Sequence, residues 1–89
     1  MNFLQMRFMN TEEFNDPSNA RKVVLATEPV ELYKILKFES LVSSGAEAKL
    51  VIDDGLVTVN SEVELRRRRK IRESDIIEFD GVRMIMVCR

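Results

Sequence analysis

The stretch from Ser44 to Asn60, which reads SGAEAKLVIDDGLVTVN, decides the fold because its hydrophobic period changes halfway along. Ser44 and Glu47 have the spacing of a capping box, in which the serine oxygen and the glutamate satisfy free amide groups at a helix start. The apolar residues that follow lie on one helical face: Ala48, Val51 and Ile52. Gly55 supplies the left-handed residue that ends a helix. The first half of the stretch therefore predicts a helix beginning at Ser44.

After Gly55 the chain alternates between apolar and polar residues, a pattern that is typical of strands. Val57 and Val59 share one face of a first strand, and the pair Asn60-Ser61 predicts a tight turn. In the second strand we expect Val63 and Leu65 to point inward. The acids that alternate with them, Glu62 and Glu64, should point outward. Serine adopts a left-handed conformation less readily than the glycine usually found second in such turns, so the turn type stays open.

The flanking residues extend this architecture. Toward the N-terminus, Thr27-Glu28-Pro29 opens a first helix of about ten residues. Its buried stripe consists of Leu32, Ile35 and Leu36. Lys34 and Lys37 point away from that stripe and remain available to a partner. Toward the C-terminus, Asp80-Gly81 between two apolar runs is a strong hairpin signal.

These elements predict an α+β fold with two short helices packed on a small, mostly antiparallel sheet. We place one domain at residues 23–89 and expect a short strand at residues 21–26 to lead into it. Residues 1–22 show little periodicity, so we expect a flexible N-terminal extension there.

The charge is distributed very unevenly along the chain. Residues 66–72, which we call the basic run, read RRRRKIR and contain six cations, whereas the other 82 residues carry a net charge of -7. One face can therefore be strongly positive although the whole protein has a net charge of -1.

Composition argues against several classes of protein. The chain has no histidine and a single cysteine, Cys88, which argues against hydrolases, metal sites and disulfides. No apolar stretch approaches the roughly 18 residues that a membrane span needs. We therefore predict a cytoplasmic protein that is not an enzyme and has no catalytic residues, no cofactor, no metal and no membrane partner.

The segment Ala46 to Asn60 is similar to the core signature of the S-four RNA-binding family, which is named after the fourth protein of the small ribosomal subunit. The flanking residues 31–45 and 63–79 resemble its stand-alone bacterial branch, often called YbcJ-type or YaaA-type, so the resemblance covers some 60 of the 89 residues. Ser61 and Ser74 stand where the family usually has glycine, which affects turn geometry. The resemblance implies the alpha-L RNA-binding motif, whose outer face lies against the backbone of a structured RNA.

Several residues fit that role chemically. Lys49 can reach a phosphate, and the helix start can present amide groups to an anion. Arginine binds phosphate oxygens through two N–H groups at once. The predicted RNA-binding residues are Lys34, Lys37, Ser43, Ser44, Gly45, Lys49, Asn60, Arg66, Arg67, Arg68, Arg69, Lys70 and Arg72.

Structural roles compete with this interpretation. Ser44 is a helix cap first, Asn60 can be a turn residue alone, and Lys49 can be a plain surface charge. Tyr33 and Phe38 favour packing over stacking on bases. We expect a monomer that binds structured RNA, with ribosomal or transfer RNA as candidates, and no small-molecule substrate. The alternative is a protein-interaction adaptor that docks an acidic partner through its basic run.

Overall fold

The computed structural model of the protein describes residues 20–89. In this part of the chain the elements are β1 (Arg21–Leu25), β2 (Val30–Glu31), α1 (Leu32–Phe38), α2 (Gly45–Asp53), β3 (Val57–Val59), β4 (Glu62–Val63), β5 (Lys70–Ile71), β6 (Ile76–Phe79) and β7 (Val82–Cys88). Residues 1–19 of the predicted extension lie outside the described residues. Strand β1 begins at Arg21, two residues before the expected start of the domain.

Five strands form one sheet in the order β1-β7-β6-β3-β4, and β2 pairs with β5 in a separate ribbon. Strand β1 runs parallel to β7, whereas every other pairing is antiparallel. The predicted α+β class with a mostly antiparallel sheet is therefore confirmed. No helix in the described residues is long and apolar enough to span a bilayer.

Both predicted hairpin turns have positive φ angles at their two central residues. Asp80 and Gly81 have φ values of 53° and 78° and join β6 to β7. Asn60 and Ser61 have φ values of 52° and 73° and join β3 to β4. Two consecutive left-handed residues are the signature of a type I′ turn, which matches the right-handed twist of the strands. The structure thus settles the turn type that the sequence left open. Ser61 has a left-handed conformation that glycine adopts more readily.

The core lies between the helices and one face of the large sheet. Both predicted helical stripes contribute to it, through Leu32, Ile35, Leu36, Ala48 and Ile52. The sheet contributes Val23, Leu25, Val57, Val59, Ile77, Met84 and Met86. The alternate residues of β1 and β7 face the other side, where Lys22 and Arg83 are exposed. The helices and the segments next to them therefore occupy one side of the molecule.

The first helix is shorter than predicted. It begins at Leu32 and has seven residues, because Val30 and Glu31 pair with Ile71 and Lys70 as extended chain. The expectation of a helix opening at Pro29 was therefore wrong. A long-range strand pairing, which local sequence does not reveal, replaces the first helical turn.

The predicted facing of β4 was also wrong. Val63 pairs with Thr58, which lies on the outer face of β3, and Val63 is 59% exposed. Leu65 is 58% exposed, whereas Glu64 between them is only 7% exposed. Glu62 is exposed as expected, but Glu64 takes the inward position that the alternation had assigned to the apolar residues.

Candidate nucleic-acid interface

The basic run starts with a tight turn, Arg66–Arg69, which we call the basic turn. The amide of Arg69 donates to the carbonyl of Arg66 across 3.2 Å. The carbonyls of Arg67 and Arg69 accept from the amides of Tyr33 and Leu32, at 3.1 and 3.0 Å. These amides belong to the start of α1, where backbone donors have no partner within the helix. The backbone of the basic turn is therefore fixed to the helical side of the domain.

Glu64 lies under the basic turn and binds two of its arginines. Its Oε2 accepts from Nε of Arg66 at 2.8 Å and from the amide of Arg66 at 3.0 Å, and its Oε1 accepts from Nη2 at 3.1 Å. Nη1 of Arg69 donates to the same Oε1. The hydrogen bonds from Arg66 lower the pKa of Glu64 from 4.5 to about 2, although burial opposes the shift. The carboxylate is thus charged at any pH near neutrality.

Arg67 binds a second carboxylate, at the end of α2. Its Nε donates to Oδ1 of Asp53 at 2.9 Å, and its Nη2 donates to Oδ2. These hydrogen bonds lower the pKa of Asp53, although desolvation acts in the opposite sense. Within residues 20–89, Arg68 is the one arginine of the turn that has no acidic partner. The sequence suggests four equivalent arginines, whereas the structure shows that their partners differ.

Tyr33 brings the two helices and the basic turn together. The Nζ of Lys49 lies 4.9 Å from the centroid of the tyrosine ring, and that of Lys34 lies 6.0 Å away. Both lysines can make cation–π contacts there. Lys34 also approaches Glu31, with 3.7 Å between Nζ and Oε1. The packing role expected for Tyr33 is consistent with these contacts, but no sequence pattern indicated its proximity to Lys49 and to the basic turn.

The remaining predicted cations are exposed. Lys37 lies in the last turn of α1, Lys70 belongs to β5, and Arg72 follows β5. None of these three side chains has an acidic partner in the described part of the chain. Lysine and arginine side chains without internal partners are free to meet a phosphate.

The start of α2 is capped as predicted on one side and differently on the other. Ser44 Oγ accepts from the amide of Glu47 at 3.1 Å. The Glu47 carboxylate binds the amide and hydroxyl of Ser43, at 2.8 and 2.6 Å, instead of the Ser44 amide. The hydroxyl bond lowers the pKa of Glu47 most. Because a carboxylate already faces this helix start, Ser43, Ser44 and Gly45 serve the cap, and their contact with RNA stays a prediction.

Asn60 is engaged in a structural role. Its Oδ1 accepts from the amide of Ile76 at 3.0 Å, and its Nδ2 donates to Asp75 at 3.1 Å. The second Asp75 oxygen accepts from the amide of Arg72 at 2.9 Å. Asn60 therefore links the β3–β4 turn to the end of the basic run, and a contact of its side chain with RNA stays untested.

One group of possible metal ligands lies elsewhere, at Glu28, Glu73 and Cys88, whose ligand atoms lie within 4.8 Å of one another. All three residues are exposed. Desolvation and the charge of Glu28 raise the pKa of the Cys88 thiol. A protonated thiol is a poor metal ligand, so this group gives no support to a metal site.

Comparison with known proteins gives a consistent family assignment. The model of the S4 domain family matches residues 23–87. The putative RNA-binding protein YbcJ of Escherichia coli K12 is 44% identical over 52 residues, which cover 58% of this chain and 74% of YbcJ. The probable ribosome maturation protein RlbA of Bacillus subtilis 168 is 34% identical over 62 residues, which cover 70% of this chain and 87% of RlbA.

A solved structure shows the same fold. The solution structure of YbcJ from E. coli, described as revealing an alfaL motif involved in RNA-binding, matches with a TM-score of 0.61 at 38% identity. The match covers 81% of this chain and 92% of that one. The resemblance that the signature at 46–60 indicated is confirmed.

Proposed function

The chain belongs to the S4 domain family, and we propose on that basis that it is a non-catalytic protein that binds the phosphate backbone of a structured RNA. The observation that carries this proposal is the fixed basic turn on the helical side of the domain. Three of the six cations of the basic run bind two acids, Asp53 and Glu64, so the run and its ion-pair partners together carry a net charge of +4.

The cations of this surface divide into two groups. Arg68, Lys70 and Arg72 have no acidic partner in the described residues and are free to bind phosphates directly, as is Lys37 on α1. Lys49 lies near the Tyr33 ring, and its ammonium can also meet a phosphate there. Arg66 and Arg69 are anchored to Glu64 and retain unused N–H groups, because a guanidinium carries five donors. Contacts of this kind read the charge and shape of an RNA helix, whose deep major groove hides its bases.

The names of the relatives suggest which RNA to test first. RlbA is called a probable ribosome maturation protein and YbcJ a putative RNA-binding protein. We therefore propose ribosomal RNA as the first candidate partner of this chain and transfer RNA as the second. The proposal includes a monomer in the cytoplasm with no membrane or small-molecule partner.

The ion pairs of the basic turn decide which substitutions test the proposal best. Reversing Arg67 and Arg69 would place new carboxylates beside Asp53 and Glu64 and would weaken the fold as well as binding. Arg68→Glu avoids this problem, because Arg68 has no acidic partner within residues 20–89. Lys22→Glu is the matched control, since Lys22 is exposed on the opposite face of the sheet.

Fluorescence anisotropy with a labelled stem-loop of ribosomal RNA, over a series of salt concentrations, measures the effect. If about four phosphates are neutralised, log affinity falls against log salt with a slope of roughly -3. We expect Arg68→Glu to weaken binding about tenfold at low salt and to flatten the slope by about one unit. Lys22→Glu should change both much less.

Two results would contradict the proposal. A parent protein that binds no structured RNA at low salt would remove the function. Equal affinities of Arg68→Glu and Lys22→Glu across the salt series would show that the basic run is not the RNA site. The second result would favour an adaptor that docks an acidic protein.

A further inference from the structure

A buried acid in the middle of a basic surface requires an explanation. Glu64 is 7% exposed, and its neighbours in sequence, Val63 and Leu65, are more than half exposed. Burying a charge costs free energy unless hydrogen bonds compensate for it. A surface that served only to collect positive charge would be better without this carboxylate, which cancels one cation.

The geometry indicates what the carboxylate does. Arg66 and Arg69 are three residues apart at the two ends of the basic turn, and both bind the single carboxylate beneath it. Arg66 is held through Nε and Nη2 together, and its side chain is nevertheless 71% exposed. Two bonds in the plane of a guanidinium fix its orientation as well as its position. The remaining N–H groups are thus free for an outside ligand in a defined geometry.

We propose that Glu64 is a positioning residue for RNA binding, which orders Arg66 and Arg69 before the RNA arrives. The inference rests on the proposed function and adds to it how the site is prepared. A long side chain that is already ordered loses less entropy when it binds a phosphate, so affinity rises without any new contact.

The inference predicts a result opposite to that of charge counting. Glu64→Gln keeps the shape of the side chain and makes the surface one unit more positive. Electrostatics alone therefore predicts tighter RNA binding and a steeper salt dependence. Loss of ordering in two arginines predicts weaker binding instead, by about tenfold.

Two variants and one control make the test. Glu62→Gln has the same charge change in the same hairpin, on an exposed side chain without an ion pair in the described residues. Glu64→Asp leaves the net charge unaltered but shortens the side chain by one methylene, so it cannot hold both arginines as Glu64 does. We expect both Glu64 variants to bind the ribosomal stem-loop less tightly than Glu62→Gln.

A spectroscopic measurement separates ordering from loss of fold. In a ¹⁵N-correlated NMR spectrum the hydrogen-bonded Nε–H of Arg66 should give a resolved signal in the parent. That signal should broaden in both Glu64 variants, while the backbone amide signals keep the dispersion of a folded domain.

The outcomes are distinguishable. Weaker binding of both Glu64 variants in the folded state supports the positioning role. Affinity equal to or above that of Glu62→Gln overturns it and leaves the proposed function standing. A parent and a Glu62→Gln protein that both fail to bind RNA would remove the proposed function, and the inference with it.

Discussion

Replacing Glu64 by glutamine should change how the stability of the domain depends on pH. The folded protein lowers the pKa of Glu64 from 4.5 to about 2, because Arg66 and Arg69 stabilise its charged form. A carboxylate whose pKa falls on folding contributes stability above its unfolded pKa. That contribution is lost as the pH falls from about 4.5 to about 2.

The size of the effect follows from the shift. Each pKa unit corresponds to about 1.4 kcal/mol, so the full shift would give roughly 3 kcal/mol at neutral pH. Water and salt screen part of this interaction, because the Arg66 side chain is 71% exposed. We therefore expect Glu64→Gln to lower the free energy of unfolding at pH 7 by about 2 kcal/mol.

Urea unfolding followed by circular dichroism, repeated from pH 7 down to the acid limit of the fold, measures the difference. Glutamine is a neutral mimic of protonated glutamic acid, so the curves of parent and variant should converge as Glu64 takes up its proton. The control Glu62→Gln should stay within about 0.5 kcal/mol of the parent throughout. Equal free energies of unfolding for parent and Glu64→Gln at pH 7 would refute the ion-pair account of this residue. A difference that does not narrow in acid would refute it as well.

Three further predictions concern the turns, the helix cap and the lysine beside Tyr33. Ser61 and Ser74 have φ values of 73° and 76°, so Ser61→Gly and Ser74→Gly should each relieve left-handed strain and raise stability in thermal unfolding by about 0.5 to 1 kcal/mol. A lower melting temperature would count against this. Ser44→Ala should cost about 0.5 to 2 kcal/mol by uncapping α2 and reduce RNA affinity modestly, whereas a collapse of affinity at unchanged melting temperature would make the serine a ligand. Lys49→Ala should flatten the salt slope of RNA binding by less than one unit, and an unchanged slope would leave Lys49 a surface charge.

Local sequence determined much of this protein. The cap at Ser44 and the stop at Gly55 gave the second helix, because both signals act on backbone groups within one turn of their own position. Asp80-Gly81 gave the last hairpin for the same reason. The signature at 46–60 identified the family, and the cluster of arginines located the candidate RNA surface.

Tertiary structure decided what local patterns left undetermined. Val30 and Glu31 became a strand because Ile71 and Lys70, which lie 41 and 39 residues later in the chain, pair with them. Glu64 took the inward position because cations that follow it satisfy its charge, whereas hydrophobic alternation ranks any acid as outward. Arg67 found its partner in Asp53, which belongs to a different element.

The same distinction applies to the candidate site. The sequence shows that residues 66–72 are positive, and this property needs no knowledge of the fold. Which of these cations are anchored and which are free depends on the carboxylates that folding brings to them. An ion pair is a short-range interaction between groups whose separation along the chain is arbitrary, so only the tertiary structure distinguishes Arg66 and Arg69, held by Glu64, from Arg68.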